Sequence, residues 1–113
     1  MVENSRLLCG GSVAVCSIPK AVEEELGVTE DDMDNISSFL RTIAGVRLAA
    51  TLRESDNAVK VSLRGVPGYD AGAICARFGG GGHAGAAGAT IHLPLAEAAA
   101  ALEQAMVEQE NNR

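Results

Sequence analysis

A chain of 113 residues is long enough for one domain with a real core and short for two, and folding would bury roughly two thirds of its unfolded surface. With 47% hydrophobic and 21% charged residues it is not a disordered chain, and at 3% aromatic its core must be built from Ala, Val, Leu and Ile. A formal net charge of −6 argues against sequence-independent binding to long nucleic acid, which depends on many Lys and Arg contacts to phosphate.

Residues 1–10 read as an N-terminal extension or linker remnant, and residues 11–113 as the folded domain. Gly11 to Ile18 is short, rich in β-branched residues and bounded by Gly-Gly and Pro19, which predicts a buried strand. A helix follows from Pro19 through Leu26 and stops at Gly27. Thr29 caps a second helix whose Met33, Ile36, Phe39, Leu40 and Ile43 recur at helical spacing and predict one apolar face closed by Gly45. Val46–Glu54 and Ala58–Arg64 alternate as strands around the polar turn Ser55-Asp56-Asn57, the clearest hairpin in the chain. In its second strand Val59, Val61 and Leu63 face one way and Lys60, Ser62 and Arg64 the other.

After the loop at residues 65–68, Asp70 caps a helix predicted to run through Phe78. Gly88 to Leu93 reads as a final strand, and Pro94 opens a terminal helix with an apolar stripe of Leu95, Ala98, Leu102 and Met106, fraying from Glu108. The order β-α-α-β-β-α-β-α predicts an α+β fold, a small mixed sheet with a central antiparallel hairpin flanked by helices.

Three cysteines, Cys9, Cys16 and Cys75, lack zinc-type spacing and read as reduced thiols, and two histidines are little material for a metal cluster. No apolar run approaches the roughly 20 residues of a membrane span, so a cytoplasmic chain without membrane contact is expected. The acidic cluster Glu23, Glu24, Glu25, Glu30, Asp31, Asp32 and Asp34 reads as solvated helix ends. Charge is nevertheless uneven. Between Arg41 and His83 six basic residues stand against three acidic ones, a local balance of +3 that suits a small anionic ligand.

The stretch Gly79-Gly80-Gly81-Gly82-His83-Ala84-Gly85-Ala86-Ala87-Gly88 carries the functional signal. One glycine there caps the preceding helix, but four before a histidine predict a shaped surface where backbone N–H groups and His83 meet an anion. It is neither a Walker loop, lacking Gly-Lys-Ser/Thr, nor a dinucleotide fingerprint, since a helix precedes the glycines. Arg64 is placed to fork hydrogen bonds to a phosphate and Ser62 on the same face adds a hydroxyl. Arg77 is a secondary candidate that also complements the end of its helix, and His92 reads as a surface histidine. No metal cluster, activated nucleophile or positioned acid–base pair emerges, so no catalytic residue is assigned.

FGGGGHAGAAG from Phe78 to Gly88, after VKVSLRG from Val59 to Gly65, resembles the C-terminal DHH-associated domain of the DHH phosphoesterase superfamily, in particular RecJ-like enzymes of the oligoribonuclease and 3′-phosphoadenosine-5′-phosphate (pAp) phosphatase type. The likeness runs from about Gly11 to the terminal helix. Where the family pattern often has serine after the arginine, Gly65 stands here. The resemblance implies a two-domain enzyme whose N-terminal domain holds two manganese ions on an Asp-His-His motif, while the C-terminal domain presents the substrate. No Asp-His-His sequence is present, so the resemblance implies an isolated substrate-binding domain, inactive alone, in which Arg64 and His83 contact phosphate, Gly80, Gly81 and Gly82 shape its approach and Ser62 assists. Implied partners are short RNA or a nucleoside bisphosphate and the missing N-terminal DHH domain, with a homodimer also compatible. Two other readings stand beside this one: the same domain type from a cyclic-dinucleotide phosphodiesterase, and a non-catalytic assembly or regulatory module.

Overall fold

The computed structural model describes residues 5–27, 29–43, 45–56 and 58–112. Asn57 of the predicted turn and Arg113 of the tail lie outside the described residues, as do the side chains of Glu23, Glu30, Asp31 and Asp34 in the acidic cluster. In chain order the elements are β1 (Ser5–Leu8), a 3-10 turn, β2 (Val13–Ile18), α1 (Lys20–Leu26), α2 (Glu30–Thr42), β3 (Leu48–Glu54), β4 (Val59–Gly65), α3 (Ala71–Ala76), β5 (Gly81–Gly82), β6 (Ala86–Ile91) and α4 (Leu95–Asn111). The strands form one sheet in the order β1-β2-β3-β4-β6-β5. Only β2 and β3 run parallel, joined by the crossover through α1 and α2 that a parallel pair requires; the other neighbours are antiparallel. The predicted α+β class and central hairpin are both present.

Alternation along the strands decides which helix covers which face. Val13, Val15, Leu48, Ala50, Leu52, Val59, Val61 and Leu63 point to the side covered by α3 and α4, where Ile74, Cys75, Ala98, Leu102 and Met106 complete the main core. Cys16 and Ile18 on the opposite side pack under Met33, Ile36 and Leu40 of α2, next to Ala14, Val46 and Ala49. α2 begins with a capping box between Thr29 and Asp32, and α3 with an Asp70 side chain accepting from the Ala73 N–H at 3.0 Å. A buried polar link seats α2: Ser37 Oγ lies 2.7 Å from Thr51 Oγ1 on β3 and donates to the Ser62 carbonyl on β4 at 3.1 Å.

The structure corrects the sequence reading in several places. Phe39 and Ile43 are 66% and 41% exposed, not part of the buried stripe. Ser5–Leu8 pairs antiparallel with β2, a strand not predicted. α3 ends at Ala76, and β6 begins two residues earlier than expected and ends before His92. The expected fraying from Glu108 does not occur within the described tail: α4 continues to Asn111 because Tyr69 donates to Glu110 at 2.6 Å and Gln109 bonds both backbone groups of Asp70, at 2.8 and 3.0 Å.

The glycine run splits into separate structural tasks. Gly79, at φ +82, turns the chain out of α3. Gly80 and Gly82 lie against β6 so closely that an added Cβ would stand 2.2 Å from the Gly88 carbonyl oxygen in the first case and 2.6 Å from the Ala87 Cα in the second. Gly81 faces open space. The Gly79, Gly80 and His83 N–H groups donate to Ala76, Cys75 and Ala86 carbonyls, so these amides serve the fold and not an open cradle.

Gly80→Ala is expected to force β5 off β6, costing about 1–3 kcal/mol, or about 4–8 °C in melting temperature for each kcal/mol. Gly81→Ala, by contrast, is expected to stay within about 0.5 kcal/mol of the parent. Thermal unfolding of both variants checks this, and equal losses at the two positions would contradict the packing. Ser37→Ala strands the Thr51 hydroxyl and removes a donor to Ser62; urea titration should show a loss of about 1–3 kcal/mol at an unchanged slope.

Candidate functional site

Strand pairing assembles a groove that no single segment contains. On the face shared with α2, Arg64 lies opposite Ala86 on β6, and Ala86 exchanges both backbone hydrogen bonds with His83, at 2.8 and 3.2 Å. Directly opposed residues of an antiparallel pair point to the same face, so Arg64, Ala86 and His83 form one row across three chain segments, about 10 Å from end to end. The next row is Ser62, Gly88 and Gly81. The row beyond is Lys60 opposite Thr90. Two glycines and an alanine thus make a floor almost without side chains, bordered by basic and hydroxyl residues.

α2 lies over β3 and β4, with its side chains reaching Cys16 and Ile18 of β2, and the groove opens beside it over β6, β5 and the rest of β4. The resulting groove has a volume of about 440 Å³. Met33 forms its wall, and Lys60, Ser62, Arg64, Gly81, Gly82 and Thr90 line it with backbone and small residues of β6. Among the described residues that line it there is no Asp or Glu, in a chain of net charge −6. Positive charge in a part-enclosed groove acts over longer distances than it would on an open surface.

Of the candidates read from the sequence, Ser62, Arg64, Gly81 and Gly82 come together here. Ser62 is 5% exposed, and its carbonyl is the acceptor for Ser37. Gly80 stands next to the groove, where its role is the close approach to β6. His83 is exposed in the turn that closes the groove at the Arg64 end. That turn is pinned by two further backbone bonds, Gly65 N–H to the Gly85 carbonyl at 3.1 Å and Ala71 N–H to the Ala84 carbonyl at 2.8 Å. Arg77 lies elsewhere, in a separate hollow between α3 and α4, where it pairs with Glu108 at 2.9 Å and holds that carboxyl below its usual range. His92 is exposed beyond the end of β6. Lys60 and Thr90 were absent from the candidate set. The signal for Lys60 was already in the alternation that put it on the face of Ser62 and Arg64; Thr90 needed the β4–β6 register.

The described lining of the groove offers hydrogen-bond donors of the kind an anion accepts from. Among the described residues no three His, Cys, Asp or Glu side chains converge as a metal site requires; the manganese pair that the family resemblance implies is one for the separate N-terminal domain. Cys75 is buried, and burial pushes its thiol up to about 11, far from a reactive thiolate. No helix among the described residues is long and apolar enough to cross a membrane.

The chain is 37% identical over 82 residues, 73% of its length, to the bifunctional oligoribonuclease and PAP phosphatase NrnA of Thermus thermophilus, of which it spans 24%. An exopolyphosphatase-related protein from Bacteroides fragilis superposes with a TM-score of 0.84 at 26% identity, covering 95% of this chain and 32% of that one. The C-Ala domain of Aquifex aeolicus alanyl-tRNA synthetase shares the fold at 14% identity and a TM-score of 0.64, over 82% of this chain and 88% of that one. A pGpG-specific phosphodiesterase of Vibrio cholerae does so at 15% identity and 0.65, over 98% and 36%; both show the fold alone. The chain therefore spans about a quarter to a third of the two relatives most informative about its sequence. The DHHA1 domain model matches residues 10–109, and the chain belongs to that family, the C-terminal domain of DHH phosphoesterases.

Proposed function

We propose that this chain is the substrate-binding domain of a metal-dependent phosphoesterase that hydrolyses short oligoribonucleotides or pAp. The observation that carries the reading is the groove over β4, β6 and β5, whose described lining includes Lys60, Ser62, Arg64 and Thr90 and no Asp or Glu, with Arg64 and His83 on one row at its end. A guanidinium offers two parallel N–H donors matched to phosphate oxygens. An imidazole at the other end of the same row donates one more bond, and the Ser62 hydroxyl lies on the next row, toward Lys60. The glycines of β5 and β6 let a nucleotide approach the backbone closely. The similarity to an oligoribonuclease and PAP phosphatase supports this substrate class.

In the proposed division of labour, the metal-activated water belongs to a separate DHH domain. This chain holds and orients the phosphate-bearing end, a contribution that rests on positioning and not on chemistry. Contacts from one side only give weak binding, with a dissociation constant near about 1 mM, or about −4 kcal/mol.

An NMR titration of the labelled chain with pAp, a 5′-phosphorylated RNA dinucleotide and a cyclic dinucleotide tests the proposal. Saturable shifts are expected at Arg64, Ser62 and residues 79–88 with the first two ligands, weakened at least tenfold in His83→Ala and Arg64→Ala. Preference for the cyclic ligand would move the assignment to a cyclic-dinucleotide enzyme. No shifts at millimolar ligand would sink the phosphate reading for this chain. No hydrolysis is expected with manganese, and activity that survives purification but vanishes in His83→Ala would overturn the non-catalytic assignment.

A further inference from the structure

The phosphate reading accounts for the Arg64–His83 end of the groove and leaves the other end unexplained. There Lys60 and Thr90 sit directly opposite one another on β4 and β6, both lining the groove, with Lys60 Nζ donating to Thr90 Oγ1 at 3.4 Å. Lys60 and Arg64 are four residues apart on one strand face, about 13 Å at the usual rise. Because the partner of Lys60 is directly across the sheet, its ammonium is held over its own row and is not swung along β4 toward Arg64. Between the two cations the floor is Ser62, Gly88 and Gly81, with no long side chain to divide the space.

We propose that Lys60 and Thr90 form a second anion subsite, so that the groove selects a ligand with two phosphate groups, one seated at each end. This rests on the reading of Arg64 and His83 as the first phosphate site. The donor chemistry fits. An ammonium has three hydrogens, and the Thr90 contact uses one; a hydroxyl that accepts from lysine keeps its own hydrogen for a ligand oxygen. The pair therefore presents donors of two kinds to one anion, with no described carboxylate in the groove to compete for them. The ligand class is a short nucleotide carrying two phosphates. A nucleoside bisphosphate and a 5′-phosphorylated dinucleotide both qualify, while a nucleoside monophosphate fills one end only.

The test is calorimetric titration of the 113-residue chain with AMP, pAp and the 5′-phosphorylated dinucleotide pApA at fixed ionic strength. The parent should bind pAp or pApA at least tenfold more tightly than AMP, and whichever of the two shows the larger preference identifies the source of the second phosphate. Lys60→Ala should collapse that preference about tenfold. Thr90→Val should reduce it less, and Lys60→Arg should retain it. Arg64→Ala should weaken all three ligands and keep their ratio. A parent without preference for two phosphates, or a preference that survives Lys60→Ala while Arg64→Ala weakens binding, overturns the second subsite alone. Absence of binding by every ligand to the parent overturns the phosphate reading itself, and the subsite with it.

Discussion

The backbone of the glycine run lies against β6 with no room for a methyl group: a Cβ on Gly80 would come within 2.2 Å of the Gly88 carbonyl oxygen and 2.7 Å of Ala89. Everything at the groove depends on this approach. It lets two residues, Gly81 and Gly82, pair as the edge strand β5, and it brings the following turn into line with Arg64 across Ala86. The contact is matched from the other side, where a Cβ on Gly72 in α3 would stand 3.0 Å from the Gly82 carbonyl oxygen. β5 is thus held between β6 and α3 by backbone packing in which side chains take little part. That solution costs conformational entropy at each glycine and leaves a floor to which a ligand can come close.

The sheet also separates the carboxylates of α4 from the groove. Glu103, Glu108 and Glu110 lie on α4, behind the sheet, and their partners there are Arg6, Arg77 and Tyr69. Asp56 pairs with Lys20 beyond the far end of β3, and each shifts the other toward its charged form. The polar side chains of the described groove lining are cations and hydroxyls. A chain of negative total charge can still present a locally positive groove, because a part-buried charge is screened less than an exposed one and the α4 carboxylates sit behind the sheet. α4 adds a mechanical element. Gln109 clamps both backbone groups of Asp70, the next N–H, that of Ala71, holds the Ala84 carbonyl, and Ala84 adjoins His83. The C-terminal turn of α4 is therefore linked to the histidine turn through three successive backbone or amide contacts.

Local patterns made much of the fold legible. The β3–β4 hairpin follows from strict alternation, and α2 and α3 start where a capping side chain precedes them. The failures have a common cause in contacts distant along the chain. Ser5–Leu8 is four residues of unremarkable composition that become a strand only by pairing with β2. The end of α4 is held by residues 39 and 41 positions away. Phe39 fails for a geometric reason: at 100° per residue, Met33, Ile36, Ser37 and Leu40 fall within about 100° of arc, whereas Phe39 is about 120° from Met33. One edge of the buried face is a serine that bonds to Thr51 and Ser62, a choice that a hydrophobic periodicity cannot reveal.

The site was legible as a set of residue types and not as a place. Alternation along β4 shows that Lys60, Ser62 and Arg64 share a face but says nothing about what lies beside them. The glycine-histidine run marks a special backbone, yet its most natural reading, a cradle of amides around an anion, assigns donors that the Cys75, Ala76 and Ala86 carbonyls already occupy. Register supplies what both lack. Once Ser62 is opposite Gly88 and Gly88 opposite Gly81, the middle of the face must be empty, and the flanking rows must carry whatever recognition the groove has. The emptiness belongs to three segments at once, each ordinary or ambiguous by itself, and arises only when 20-odd residues of intervening chain have brought β6 between β4 and β5.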